Sequence, residues 1–105
     1  MNVAFNTGAP LLDALVLSVA SIEDTYGYKI TQYVRSVMSV SESTLYPVLR
    51  RLQKDGCLET YDQAFAGRNR RYYRITPHGK QLLQGYRQEW LEYEQKVHSV
   101  LFREV

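Results

Sequence analysis

Residues 41–56 read Ser-Glu-Ser-Thr-Leu-Tyr-Pro-Val-Leu-Arg-Arg-Leu-Gln-Lys-Asp-Gly, and residues 67–71 read Gly-Arg-Asn-Arg-Arg. In the first stretch Leu45, Val48, Leu49 and Leu52 recur at the three- and four-residue steps of one helix face, which must turn toward a core. Ser41 stands where a hydroxyl caps free amides at a helix start, and Gly56 stands where a helix stops. Pro47, near the sixth helical position, removes one backbone hydrogen bond, which predicts a kink or a later start. The opposite face carries Ser43, Pro47, Arg50 and Lys54, with Tyr46 and Arg51 at its edges. Short polar side chains near the N-terminal end and cations beyond are what a helix in the DNA major groove presents, to base edges and to phosphates or guanine respectively. An ordinary solvated helix shows such a face too, so its neighbours decide the reading.

Upstream, residues 10–22 are apolar over more than one stripe (Leu11, Leu12, Ala14, Leu15, Val16, Leu17, Val19, Ala20, Ile22), which predicts a helix covered on several sides. After the connection Glu23-Asp24-Thr25-Tyr26, residues 27–38 place Ile30, Tyr33, Val34, Val37 and Met38 at helical spacing. Downstream, Cys57–Tyr61 reads as a strand, residues 64–70 as a turn around Gly67 with a basic tip, and Arg71–Thr76 as the returning strand. Three arginines within four residues repel one another unless a polyanion neutralises them. Three helices and a basic β-wing make a mainly α (α+β) winged helix-turn-helix. Thr76-Pro77 is an N-cap and N1 pair opening a helix that runs to about residue 103, ~40 Å at ~1.5 Å per residue.

That last helix carries Leu83, Tyr86, Trp90, Tyr93, Val97 and Val100 at alternating steps of three and four, a coiled-coil seam longer than a three-helix head covers. A second chain is the expected cover, with Leu12, Leu15 and Val19 of the helix at 10–22 as the partner surface. The division expected is therefore a DNA-binding unit over 1–76 and a dimerisation helix over 77–105, packed with helix 10–22 of the partner. In such a twofold dimer the recognition helices sit about one DNA turn, roughly 34 Å, apart and select a pseudo-palindromic site. Tyr86, Trp90 and Tyr93 are bulky for a tight seam and could line a flat pocket for a small aromatic or hydrophobic effector.

At 105 residues the chain fits one domain, and its net charge of +2 announces no partner. Residues 25–87, however, hold eleven cations against four carboxylates, and the flanks are acidic. One cysteine, Cys57, excludes an internal disulfide and, even with His78 and His98, a four-ligand zinc site; it fits a reducing cytoplasm. Neither a membrane span nor a signal peptide is read, MNVAFNTGAP lacking the basic start of a leader. No metal set, cofactor motif or catalytic constellation appears: Ser39, Ser41 and Ser43 have no partner histidine at a recognisable spacing, which argues against an enzyme. The alternative class is a winged-helix protein-interaction module without specific DNA binding.

The run Tyr26-Gly27-Tyr28, the segment Thr44–Leu52 continued by Lys54-Asp55-Gly56, and the segment Gly67–Thr76 together resemble the PadR family of bacterial transcriptional regulators. The resemblance spans nearly the whole chain. It implies a dimeric repressor of double-stranded DNA, with Thr44 and Tyr46 on the helix in the major groove and Arg68 and Arg70 on a wing along the backbone or minor groove. The length resembles the subfamily with a single C-terminal dimerisation helix. Asn69 stands where proline is frequent in the family, and Cys57 where an aliphatic residue is usual. Trp90 takes the place of a ligand-stacking tryptophan of multidrug-sensing members, whereas other members respond to phenolic acids. The expected DNA contacts are Ser43, Thr44 and Tyr46 to base edges or nearby phosphates, Arg50, Lys54 and Lys29 to the backbone, and Arg68, Asn69 and Arg70 on the wing. Lys29 is included because a phosphate commonly lands near the start of the second helix in helix-turn-helix complexes.

Overall fold

The stripe Leu45, Val48, Leu49 and Leu52 is buried as its spacing predicts, and the rest of the chain folds around it. The computed structural model describes residues 9–103; residues 1–8, which include most of the segment read for a leader, and residues 104–105 lie outside the described residues. In chain order the elements are α1 (Ala9–Ile22), β1 (Thr25–Tyr26), α2 (Gly27–Arg35), α3 (Glu42–Lys54), β2 (Leu58–Phe65), β3 (Arg68–Ile75) and α4 (Pro77–Leu101). Val16 and Leu17 of α1, Ile30 and Val34 of α2, the α3 stripe, and Leu58, Tyr73 and Ile75 of the sheet form one apolar core. Together these elements form a winged-helix α+β fold.

The helix ends follow local chemistry. Ser41 caps α3, its hydroxyl accepting from the Thr44 amide at 3.3 Å, and Gly56 just beyond the end adopts a φ of +78°, where an L side chain would be strained. Helix α3 begins at Glu42 despite Pro47, which removes only the bond to the exposed Ser43 carbonyl. Thr76 caps α4 by accepting from Gly79 N at 3.0 Å, with Pro77 at the first helical position. A Cβ on Gly79 would stand 2.2 Å from the Cys57 carbonyl oxygen, so only glycine lets α4 approach the start of β2 this closely. Leu83, two turns into α4, is buried in the same core, which anchors the first part of that helix on the head. Beyond it α4 leaves the head, and the molecule extends 63 Å along its longest axis against 26 and 21 Å across.

Three expectations are corrected. Helix α2 ends at Arg35 rather than 38: Ser36–Met38 form a turn, and Val37 is 66% exposed, so its match to the helical period was coincidental. Thr25–Tyr26, read as a connection, is a short strand pairing antiparallel with β3, which gives the sheet order β1-β3-β2. Finally, the hairpin is longer than its apolar pattern. Pairing continues through Tyr61↔Tyr72, Asp62↔Arg71 and Gln63↔Arg70 to Phe65↔Arg68, so the turn itself is Ala66-Gly67, and the arginines stand on β3 rather than at the tip. Both turn residues have positive φ, +52° and +78°, the geometry of the two-residue hairpin turns that match strand twist. Outer pairs such as Asp62↔Arg71 and Ala64↔Asn69 are exposed on both strands, so no alternation of apolar and polar residues marked them.

Candidate nucleic-acid interface

The exposed face of α3 and the hairpin β2–β3 enclose an open groove of about 920 Å³. From α3 it is lined by Tyr46, Arg50 and Gln53; from the hairpin by Phe65, Arg68, Asn69, Arg70 and Arg71; and from the β1–α2 junction by Tyr26 and Tyr28. Four arginines and no carboxylate line it. Position along α3 explains the first set, since Arg50 and Gln53 are spaced i, i+3 opposite the buried stripe. Gly27 explains the closeness of the junction, because a Cβ there would come within 3.0 Å of the Tyr46 ring. Burial in the groove wall pushes the Tyr73 hydroxyl above its ordinary pKa, so it remains a neutral phenol at physiological pH.

Ion pairing sorts the cations. Arg51, at the edge of the α3 face, turns away from the groove to the nearly buried Asp13 carboxylate of α1. Arg74 pairs with Asp24 at 3.2 Å and Glu59 at 3.4 Å, and Arg71 lies 3.8 Å from Asp62. Lys29 pairs with Glu23 at 3.1 Å, and the hydrogen bond raises the ammonium pKa further. Among the described residues, Arg50, Lys54, Arg68 and Arg70 have no carboxylate partner. Of the four arginines in the groove only Arg71 has a carboxylate partner among the described residues, so the positive potential there stays open to an anion.

Of the residues expected to meet DNA, Tyr46, Arg50, Arg68, Asn69 and Arg70 come together in this groove. Ser43 and Thr44 are exposed at the start of α3 but outside it, hydrogen-bonded to the Ser41 hydroxyl at 2.9 and 3.1 Å. Lys54 is exposed at the far end of α3, and Lys29 lies away from the groove lining, beside Glu23. Sequence reasoning missed Gln53, Tyr28, Tyr26, Phe65 and Arg71 as groove residues. Gln53 was open to the same wheel argument that found Arg50, whereas Phe65 and Arg71 enter only through a register the sequence does not show.

The residues expected at a dimer interface divide into two groups. Leu12 and Leu83 are buried inside the single chain, at 7% and 3% exposure, because α1 packs on the first half of α4 of its own chain. Leu15, Val19 and Tyr86 are half-buried at the edge of that packing. Tyr86 points back to Asp13, donating its hydroxyl at 3.4 Å, and burial first, then Asp13, pushes its pKa up to about 12. Asp13 therefore joins α1, α3 and α4 through Arg51 and Tyr86. Further along α4, Trp90, Val97 and Val100 are 39%, 37% and 66% exposed, and Leu101 and Phe102 more so than Val97. Trp90 and Tyr93 stand 6.2 Å apart, their planes inclined by 47°, on a shallow apolar face. Cys57 is buried and its thiol pushed above the ordinary pKa by desolvation, so it packs as a small apolar side chain.

Residues 16–85 match the model of the transcriptional regulator PadR-like family. A transcriptional regulator of Mycobacterium tuberculosis is 41% identical over 69 residues, covering 65% of this chain and 64% of that one. Among solved structures, a Streptococcus mutans protein superposes with a TM-score of 0.85 at 38% identity, covering 90% of both chains. A PadR-like transcriptional regulator of Bacillus cereus superposes with a TM-score of 0.82 at 32% identity, covering 90% of this chain and 94% of that one. The matched segment runs from α1 through the groove-forming helix and hairpin into the first half of α4, and the chain belongs to the PadR-like family of transcriptional regulators.

Proposed function

We propose that this regulator binds double-stranded DNA sequence-specifically as a homodimer and represses transcription from the operator it occupies. The observation that carries the reading is the groove between α3 and the hairpin, lined by four arginines and no carboxylate, three of those arginines having no carboxylate partner among the described residues. On this reading Ser43, Thr44 and Tyr46 contact base edges or nearby phosphates, Arg50, Lys54 and Lys29 contact the backbone, and Arg68, Asn69 and Arg70 make the wing contact. The exposed apolar face of distal α4, from Trp90 through Val97 and Val100, supports a second copy of the chain as its cover, with Leu15 and Val19 of α1 at the margin. Where two such faces meet, Trp90 and Tyr93 form the planar surface on which a small aromatic or hydrophobic effector would stack. The cytoplasm is the compartment this function requires, and no described helix is long and apolar enough to cross a membrane.

The test is the salt dependence of binding to a mixed-sequence duplex, followed by fluorescence anisotropy. Each phosphate contact contributes close to one unit to the log–log slope, so Arg50→Ala is expected to weaken binding and flatten the slope by about one. An unchanged slope removes Arg50 from the interface. Binding that ignores both salt and heparin favours an apolar protein partner over DNA.

A further inference from the structure

The hairpin register places one arginine between two aromatic rings. On β3, Arg70 lies two residues from Tyr72, which pairs with Tyr26 of β1, and two residues from Arg68, which pairs with Phe65 of β2. Side chains two apart share a sheet face, so Tyr26 and Phe65 are diagonal neighbours of Arg70 on opposite sides. The contacts bear this out: the Arg70 guanidinium carbon lies 4.0 Å from the Tyr26 ring centre and 4.1 Å from that of Phe65. Both distances fall well inside the ~6 Å reach of a cation–π interaction. The Tyr26 ring is itself braced edge-on by Tyr72 at 5.8 Å, and Tyr72 stacks on Tyr61 at 5.6 Å.

We propose that Tyr26 and Phe65 clamp the Arg70 guanidinium and are positioning residues for the wing's contact with DNA. This rests on the DNA-binding reading above and adds to it which side chains orient the wing. An arginine on a solvated two-stranded ribbon samples many rotamers and loses that freedom on binding a phosphate or base. A cation–π contact restricts the rotamers beforehand and uses none of the five N–H donors, which stay available to acceptors in the groove. Neighbouring arginines are held differently. Arg74 also lies over a ring, 4.8 Å from Tyr61, but its donors are taken by Asp24 and Glu59, and Arg71 faces Asp62. Arg70 alone among the β3 arginines combines two ring contacts with the absence, among the described residues, of a carboxylate partner. The clamp also accounts for Phe65, a large apolar side chain left 53% exposed beside the turn.

The experiment compares duplex-DNA affinities of the wild-type protein with Phe65→Leu, Phe65→Tyr, Arg70→Ala and the double variant Phe65→Leu/Arg70→Ala, each checked for folding by circular dichroism. Losing one exposed cation–π partner is expected to raise Kd by about two- to fivefold for Phe65→Leu. Phe65→Tyr, which keeps a ring, should bind as the wild type does. In the Arg70→Ala background the leucine substitution should have no further effect, because the clamp has nothing left to hold. An unchanged Kd for Phe65→Leu, or an equal penalty with and without Arg70, overturns the clamp while leaving DNA binding intact. Wild-type protein that binds no duplex at all overturns both readings.

Discussion

Two glycines of the same helix should respond to alanine with opposite signs. Gly79 sits in the first turn of α4, its amide donating to the Thr76 hydroxyl, and a Cβ there would meet the Cys57 carbonyl oxygen at 2.2 Å and the Ile75 Cγ1 at 2.8 Å. The carbonyl oxygen belongs to backbone that accepts from the Thr76 amide at 3.0 Å, so it cannot swing aside without breaking the junction between β2 and α4. The shortfall from ordinary contact is about 1.2 Å, which forces the helix off the sheet. Overpacking of this kind costs about 1–3 kcal/mol and weakening the cap about 1, while alanine's better helix propensity returns about 1. Gly79→Ala should thus lose about 1–3 kcal/mol and lower Tm by roughly 5–20 °C for a domain of this size. Gly85, two turns on, has nothing within 4 Å of its ideal Cβ, so Gly85→Ala should gain about 1 kcal/mol and raise Tm by about 4–8 °C. Thermal denaturation at a fixed protein concentration reads both, the fixed concentration removing any contribution from self-association. A Gly79→Ala protein as stable as the wild type would refute the close approach of α4 to Cys57, since only propensity would then be acting.

Three further outcomes are expected. Ala66 holds a φ of +52°, a conformation that costs an L side chain about 1 kcal/mol, so Ala66→Gly should raise Tm by several degrees; a fall in Tm would contradict the turn geometry. The raised pKa of Tyr86 means that its contribution to stability is fully present below the unfolded value near 10 and is lost as pH rises through about 12. Ultraviolet titration of the folded protein should show a tyrosine ionising near pH 12 that Tyr86→Phe removes; loss instead of a tyrosine ionising near pH 10 would place Tyr86 in solvent. Val97→Asp puts a charge on the exposed apolar face of α4 and should shift the protein toward monomer in analytical ultracentrifugation, with a circular dichroism spectrum like the wild type's. An unaltered sedimentation coefficient would remove that face from the dimer contact.

How far the sequence could be read depended on the range of the interaction. Helix α3 was legible to within a residue or two, because its signals are local: the hydroxyl at Ser41, the stripe from Leu45 to Leu52 and the glycine at 56. The opening of α4 at Thr76-Pro77 was legible for the same reason. Strand β1 carried no signal, since two residues show no period and Thr25 and Tyr26 become a strand only because Tyr73 and Tyr72 lie beside them. The outer half of the hairpin was missed because polar pairs such as Asp62↔Arg71 stay exposed on both strands. In the groove, Arg50 was legible from its position on the helix face, and Arg68 and Arg70 from charge together with the family resemblance. What charge could not reveal was which cations are already compensated: Asp13 meets Arg51 38 residues away and Tyr86 73 away, pairings that only the packing of α1 on α3 and α4 creates. The same packing assigns Leu12 and Leu83 to the interior of one chain and leaves the seam beyond Tyr86 exposed.

If α3 and its hairpin read a DNA sequence as a twofold pair, selection of binding sites from a random duplex library at about 150 mM salt should recover a pseudo-palindrome whose half-sites lie about one helical turn, roughly 10 base pairs, apart. Recovery of no motif by protein shown to be folded and dimeric would contradict that reading.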